Sequence, residues 1–263
     1  MSRQSVVRSP FLIVNPKAYL ASADTLALAR LTDELAEQFG IDVIFTAQHV
    51  DVRTWWPRTP VASSSRLVPR IPSSSGRGMG HILPDSLRDA GAGAVVLNHA
   101  EHPLTLAVLD ETMQRAREVG LATIVCADSD AQCKAIAGMG PDIMICEPTA
   151  NIGTGQMDAG GYIERTTRIV KDVDPTILVI QAAGVSTGAD VARVLVQGAD
   201  GSGGTSGIVR HLDWRAILTE MSVAIAGPQK QSLKGHRMLI GLGEALAYAE
   251  KNDVALAAVN TLL

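Results

Sequence analysis

Four polar residues stand where apolar runs end. Asn15 and Lys17 follow "PFLIV", His99 closes "VVLNH", and Glu147 closes "IMICE". A carboxylate, an imidazole and an ammonium gathered at one place can move a proton next to a carbonyl. The carboxylate removes the proton, and the imidazole and ammonium stabilise the enediolate that forms. Glycine-rich stretches at "NIGTG" (151–155), "AAGVSTG" (182–188) and "GGTSG" (203–207) suit a second task. Glycine lets backbone come close to a ligand, and free N–H groups satisfy the oxygens of a phosphate. These residues are far apart along the chain, so a scaffold must bring the ends of distant segments to one rim.

The pattern of elements supplies such a scaffold. Strand-like runs at 10–15, 42–48, 94–99, 122–127, 142–147 and 176–183 alternate with helical patterns at 22–40, 83–91, 102–120, 129–140, 162–174 and 187–198. Gly40 and Gly120 stop two of the helices. Strand and helix in regular alternation imply parallel βαβ units. A polar or glycine-rich segment follows each strand, and in a closed (β/α)8 barrel those segments form the catalytic face. The fold class is therefore α/β, a (β/α)8 barrel.

Two places interrupt the rhythm. Residues 54–77, "TWWPRTPVASSSRLVPRIPSSSGR", show no strand where the third is due. The tryptophan codon and TCN serine codons encode apolar residues in the neighbouring frame, so this stretch is either frameshifted or a genuine loop. The second interruption is "ADGSGGTSGI" (199–208), where an apolar eighth strand is due. Glycine weakens strands. From about residue 227 the chain continues as "GHRMLIGLGEALAYAEKNDVALAAVNTLL" and its flanks, one or two helices beyond the barrel. The expected division is a barrel over 1–226 and a C-terminal helical extension, packed on it, over 227–263.

Bulk properties narrow the function classes. The 263 residues are 46% hydrophobic and only 3% aromatic, so the core must be aliphatic. That suits a parallel sheet covered by helices. A net charge of −4 argues against nucleic acid as a main partner. The apolar run before Asn15 is too short for a signal peptide or a membrane span. Cys126, Cys133 and Cys146 have no metal-ligand spacing and read as buried, reduced thiols of a cytoplasmic protein.

The chain resembles the triosephosphate isomerase family, in particular its short archaeal-type branch. The resemblance rests on "NPK" at 15–17, "GHILPDSLRDAGAGAVVLNHAE" at 80–101, "EPTANIGTG" at 147–155, "AAGVSTG" at 182–188 and "TSG" at 205–207. It implies a TIM barrel and an isomerase that interconverts dihydroxyacetone phosphate and glyceraldehyde 3-phosphate. It implies that Glu147 is the base, His99 the neutral electrophile, and Lys17 the cation near the substrate oxygens, with Asn15 helping to fix it. Gly153, Gly184, Ser186, Thr205 and Ser206 are implied to hold the phosphate, Glu101 to support the pocket, and residues 148–155 to form a lid. No metal or organic cofactor is implied, because a carboxylate and an imidazole suffice for a 1,2 proton shift. A homo-dimer or tetramer is implied as well. Two departures stand out: "GSGG" precedes Thr205 where the family has apolar residues, and Thr149 and Ala150 replace the usual aromatic after the Glu–Pro pair. The second is shared with the archaeal-type branch; the "GSGG" stretch and the C-terminal extension leave open an isomerase of a tetrulose phosphate, and the 54–77 segment leaves open an inactive paralogue that only binds phosphate ligands.

Overall fold

The computed structural model of the chain describes residues 7–52, 61–63, 81–154 and 161–231. Eight parallel strands close into a barrel in chain order. They are β1 (Phe11–Val14), β2 (Asp42–Ala47), β3 (Val61–Ser63), β4 (Ala92–Leu97), β5 (Ala122–Ala127), β6 (Ile143–Cys146), β7 (Leu178–Ile180) and β8 (Gly201–Gly204). The helices between and after them are α1 (Ser22–Phe39), α2 (Pro84–Asp89), α3 (Leu106–Glu118), α4 (Asp130–Gly138), α5 (Tyr162–Val173), α6 (Gly188–Val196), α7 (Ser206–Val209) and α8 (Trp214–Gln231).

Side chains alternate across each strand, and the alternation divides the core. Phe11, Ile13, Ile44, Ala94, Val96, Ile124, Cys126, Ile143, Ile145 and Ile180 pack together inside the barrel. Their neighbours Leu12, Val14, Val43 and Phe45 pack outward with residues of α1, α6 and α8. Val95, Leu97, Val125, Met144 and Cys146 pack outward with residues of α2, α3 and α4. Both faces of the sheet are covered, which explains the near-continuous apolar runs.

The two interruptions in the sequence have different outcomes. The third strand is not missing: Val61–Ser63 pairs in parallel with β2 and β4, with a register shift between Val61 and Ala62. Three residues are too few to stand out as an apolar run, and hydrogen bonds to a neighbour on each side define the strand instead. The rest of 54–77 lies outside the described residues. The eighth strand is made of "GSGG" because there is no room for anything larger. A Cβ on Gly201 would lie 2.6 Å from the buried ring of Phe11, and one on Gly203, at φ +147°, would lie 2.0 Å from the Ile13 carbonyl oxygen. Bulk that β8 lacks is thus supplied by β1, and the barrel closes between them in register from Phe11↔Gly201 to Val14↔Gly204.

Helix α8 breaks at Gly227 (φ 52°, ψ 170°). Residues 232–263, most of the expected C-terminal extension, lie outside the described residues. Cys126, Cys133 and Cys146 are free and buried.

Candidate active site

The inward phase of the strands carries past their ends. On β1 it runs Phe11, Ile13, Asn15, and on β6 it runs Ile143, Ile145, Glu147. The last residue of each series faces a cavity of about 150 Å³ at the C-terminal mouth of the barrel. Lys17 and His99 line the same cavity. Asn98 takes the inward phase on β4, but its φ of +57° turns the chain so that His99 reaches the cavity. That turn is held at both ends: Asn98 Nδ2 donates to the Cys126 carbonyl (3.0 Å), and its Oδ1 accepts from the Leu104 N–H (2.9 Å).

Asn15 fixes Lys17 through the backbone. Its Oδ1 accepts from the Lys17 N–H (3.0 Å) and from the Thr46 hydroxyl (2.6 Å). Lys17 has φ +47°, a conformation that costs a non-glycine residue about 1–3 kcal/mol and persists only where the surroundings enforce it. The Lys17 ammonium meets a carboxylate oxygen of Glu101 at 2.8 Å. The Glu101 N–H in turn donates to His99 Nδ1 (3.1 Å). A ring nitrogen that accepts a hydrogen bond carries no proton, so the neutral ring holds its hydrogen on Nε2. Burial lowers the His99 pKa, and the Lys17 charge lowers it further against a smaller opposing effect of Glu101. All three observations favour a neutral imidazole that donates from Nε2.

Glu147 has the opposite treatment. Its N–H is tied to the Ala127 carbonyl (2.9 Å), but among the described residues its carboxylate accepts no hydrogen bond. Solvent touches part of the side chain, yet protein atoms crowd the carboxyl on nearly every side. Burial therefore pushes its pKa up to about 7; Lys17 works against that rise and Glu101 adds to it. A poorly solvated carboxylate is a stronger base than one in water. A raised carboxylate beside a lowered imidazole suits the first to act as base and the second as a neutral hydrogen-bond donor.

Gly153, Gly184, Thr205 and Ser206 also line the cavity, as does Glu101. Ser186 does not. Its N–H and hydroxyl donate to the Asp190 carboxylate at 3.2 and 3.3 Å, beside the capping box that Thr187 and Asp190 form at the start of α6. Of the expected lid, residues 148–154 are described: Pro148, a 3-10 turn at Thr149–Asn151, then Ile152 and Gly153 at φ +76°. Residue 155 lies outside the described residues.

Sequence reasoning missed two participants. Tyr19 lines the cavity two residues beyond Lys17; its place in the same loop was the only signal. Asp128, at the end of β5, ties both flanks of the lid. Its carboxylate accepts from the Thr149 N–H (3.3 Å) and hydroxyl (2.6 Å), and its carbonyl accepts from the Tyr162 hydroxyl. A second recess of about 380 Å³ continues behind His99 and Glu147 between apolar walls that include Leu104, Leu109 and Ile136. Among the described residues, no group of three His, Cys, Asp or Glu is placed to hold a metal ion.

Comparison with known proteins places this geometry. The profile of the triosephosphate isomerase family matches residues 10–221. A triosephosphate isomerase of Methanocaldococcus jannaschii is 30% identical over 215 residues, 80% of this chain and 97% of that one. That of Methanopyrus kandleri is 32% identical over 222 residues, 82% of this chain and 98% of that one. The crystal structure of triosephosphate isomerase from Bartonella henselae superposes with a TM-score of 0.59 over 74% of this chain and 92% of that one. At 14% identity it speaks for the fold alone. A closed eight-stranded barrel, a buried carboxylate and a neutral imidazole at its mouth, and a family match spanning nearly the whole barrel agree: the chain belongs to the triosephosphate isomerase family.

Proposed function

We propose that this chain is a triose-phosphate isomerase, an aldose–ketose isomerase that interconverts dihydroxyacetone phosphate and D-glyceraldehyde 3-phosphate through an enediolate. The observation that carries the reading is a carboxylate with a pKa raised to about 7, facing the same cavity as a neutral imidazole and an ammonium.

In the proposed reaction the Glu147 carboxylate takes a proton from the carbon next to the carbonyl. The electron pair left behind moves onto the carbonyl oxygen, and His99 Nε2–H donates a hydrogen bond to it. Lys17 adds a positive charge near the developing oxyanion. The former carbonyl oxygen takes a proton and the hydroxyl oxygen next to it gives one up, relayed through His99 Nε2. Glu147, now protonated, returns its proton to the former carbonyl carbon, and the carbonyl re-forms one position along. No atom is gained or lost, so no cofactor is required. Backbone N–H groups around Gly153, Gly184, Thr205 and Ser206 hold the phosphate, and Ser186 contributes by fixing the start of α6 through Asp190. Closure of residues 148–155 keeps water from the enediolate.

A homo-dimer or tetramer working in the cytoplasm belongs to the same proposal, supported by family membership. So does the division into a barrel over 1–226 and a helical extension beyond it. Among the described residues no helix is long and apolar enough to cross a membrane. A coupled assay with D-glyceraldehyde 3-phosphate tests the function. Turnover with triose phosphates supports it. Turnover with a tetrulose phosphate alone, or phosphate-ligand binding with no turnover, replaces it.

A further inference from the structure

The charges at the cavity do not suit its proposed substrate. Lys17 is the one cation among the described residues that line it, and Glu101 holds that cation at 2.8 Å. Glu147 then adds a negative charge, and His99 adds none. A doubly charged phosphate ester would approach a mouth whose lining groups, among the described residues, are negative on balance. Another positive charge must stand close by for capture to be fast.

The rim provides one. Arg210 follows α7, whose first residue, Ser206, lines the cavity, and its N–H donates to the Ser206 carbonyl (3.2 Å). Its guanidinium lies over the ring of Tyr19, 5.3 Å from the centroid, and Tyr19 lines the cavity from the neighbouring loop, after β1. Arg165, which also sits over a tyrosine, Tyr162, is by contrast paired with Asp130 at 2.8 Å. Among the described residues Arg210 makes no such ion pair. An aromatic face holds a cation without cancelling its charge. Its position is thus set beside a residue that lines the cavity, while its charge stays exposed and uncancelled.

We propose that Arg210, held over Tyr19, is the steering cation that draws anionic phosphate esters into the site; it acts on capture and does not touch the reacting atoms. The proposal rests on the isomerase reading for its substrate but not for its electrostatics. A rim charge changes association rate and its salt dependence more than it changes bound-state chemistry.

The test compares Arg210→Glu, Arg210→Gln and Arg210→Lys with the parent across a salt series. At low salt, Arg210→Glu lowers kcat/KM for D-glyceraldehyde 3-phosphate about tenfold, and Arg210→Gln lowers it about threefold. Both leave kcat within about twofold, Arg210→Lys restores most of the loss, and the differences vanish at high salt, where charges are screened within a few ångströms. Binding of sn-glycerol 3-phosphate, measured by calorimetry, follows the same order. Equal kcat/KM in all variants at low salt, a loss in kcat, or a loss that salt does not erase would each overturn the steering role and leave Arg210 a structural contact of Tyr19. If the parent turns over no triose phosphate while glycerol phosphate binding still follows the series, the isomerase reading fails and the steering role survives.

Discussion

Three carboxylates at the N-terminal end of the barrel and Glu147 at the C-terminal end are used in opposite ways. At the N-terminal end, Asp42, Asp142 and Asp200 each bind the backbone at or near the start of a neighbouring strand. Asp42 accepts from the Arg8 N–H (2.8 Å) and guanidinium. Asp142 accepts from the Thr123 N–H and hydroxyl at 2.8 and 2.9 Å. Asp200 accepts from the Val179 N–H at 2.8 Å and from the Lys171 ammonium at 2.6 Å. At the C-terminal end, Glu147 sits among apolar groups with no hydrogen bond to its carboxylate among the described residues. Paired carboxylates tie strand to strand. An unpaired one costs stability and keeps its lone pairs available for a proton. Stability and reactivity therefore sit at opposite ends of the same strands.

The largest effect that can break this contrast is on turnover. Glu147→Gln keeps the shape of the side chain and removes the base. We expect kcat to fall about 10³-fold or more, in line with the loss of a general base. A coupled assay that finds kcat within tenfold of the parent removes Glu147 from the chemistry.

The same substitution should raise stability, and the sign follows from the direction of the shift. A carboxyl at 4.5 in the unfolded chain and about 7 in the folded one binds its proton more tightly when folded. Its contribution is complete below pH 4.5 and is lost as pH rises through 7. The loss is at most about 3 kcal/mol, because solvent reaches part of the side chain and screens it. Glu147→Gln should be more stable than the parent above pH 7, and the two should converge near pH 4. Denaturant titrations at several pH values check this; a gap that widens toward low pH contradicts the assigned cause. The same ionisation should give kcat/KM an acid limb centred near pH 7.

At the other end, Asp200→Ala leaves the Val179 N–H without its acceptor and takes the carboxylate from the Lys171 ammonium, which keeps its bond to the Ile177 carbonyl at 2.8 Å. We expect a loss of about 2 kcal/mol in stability and little change in kcat at a temperature where the variant stays folded. A fall in kcat like that of Glu147→Gln would erase the distinction between the two ends.

The sequence made much of this legible, for reasons tied to particular residues. Their place at the ends of apolar runs put Asn15, His99 and Glu147 at the rim. The turn that brings His99 into the cavity was not legible, because the positive φ of Asn98 breaks the alternation. β3 was not legible, since a three-residue strand takes its identity from neighbours on both sides. "GSGG" as β8 was not legible either: its reason lies in the ring of Phe11, 190 positions away from Gly201 in sequence and in contact only after closure. Asp128 gave no signal at all, because both of its partners lie across loops whose course only the fold decides.

Asp128 also offers the finest test of the contrast, because it is a paired carboxylate at the reactive end. Its bonds to Thr149 hold the turn that directly follows Glu147, and its carbonyl holds Tyr162 on the far side of the lid. If pairing alone decided what a carboxylate does, its loss would register in stability. If location decides, its loss would register in kinetics. Thr149→Val removes the hydroxyl bond and keeps the backbone one, at nearly constant volume. One exposed hydrogen bond to a charged group is worth about 1 kcal/mol. Set against lid position, that predicts a change of about threefold in kcat or KM, with unfolding free energy shifted by less than about 0.5 kcal/mol. Asp128→Ala, which removes both side-chain bonds, should move the same kinetic constants further in the same direction. Parent-like kinetics in both variants, with a measurable loss of stability, would show that Asp128 belongs with Asp142 and Asp200 despite standing at the other rim.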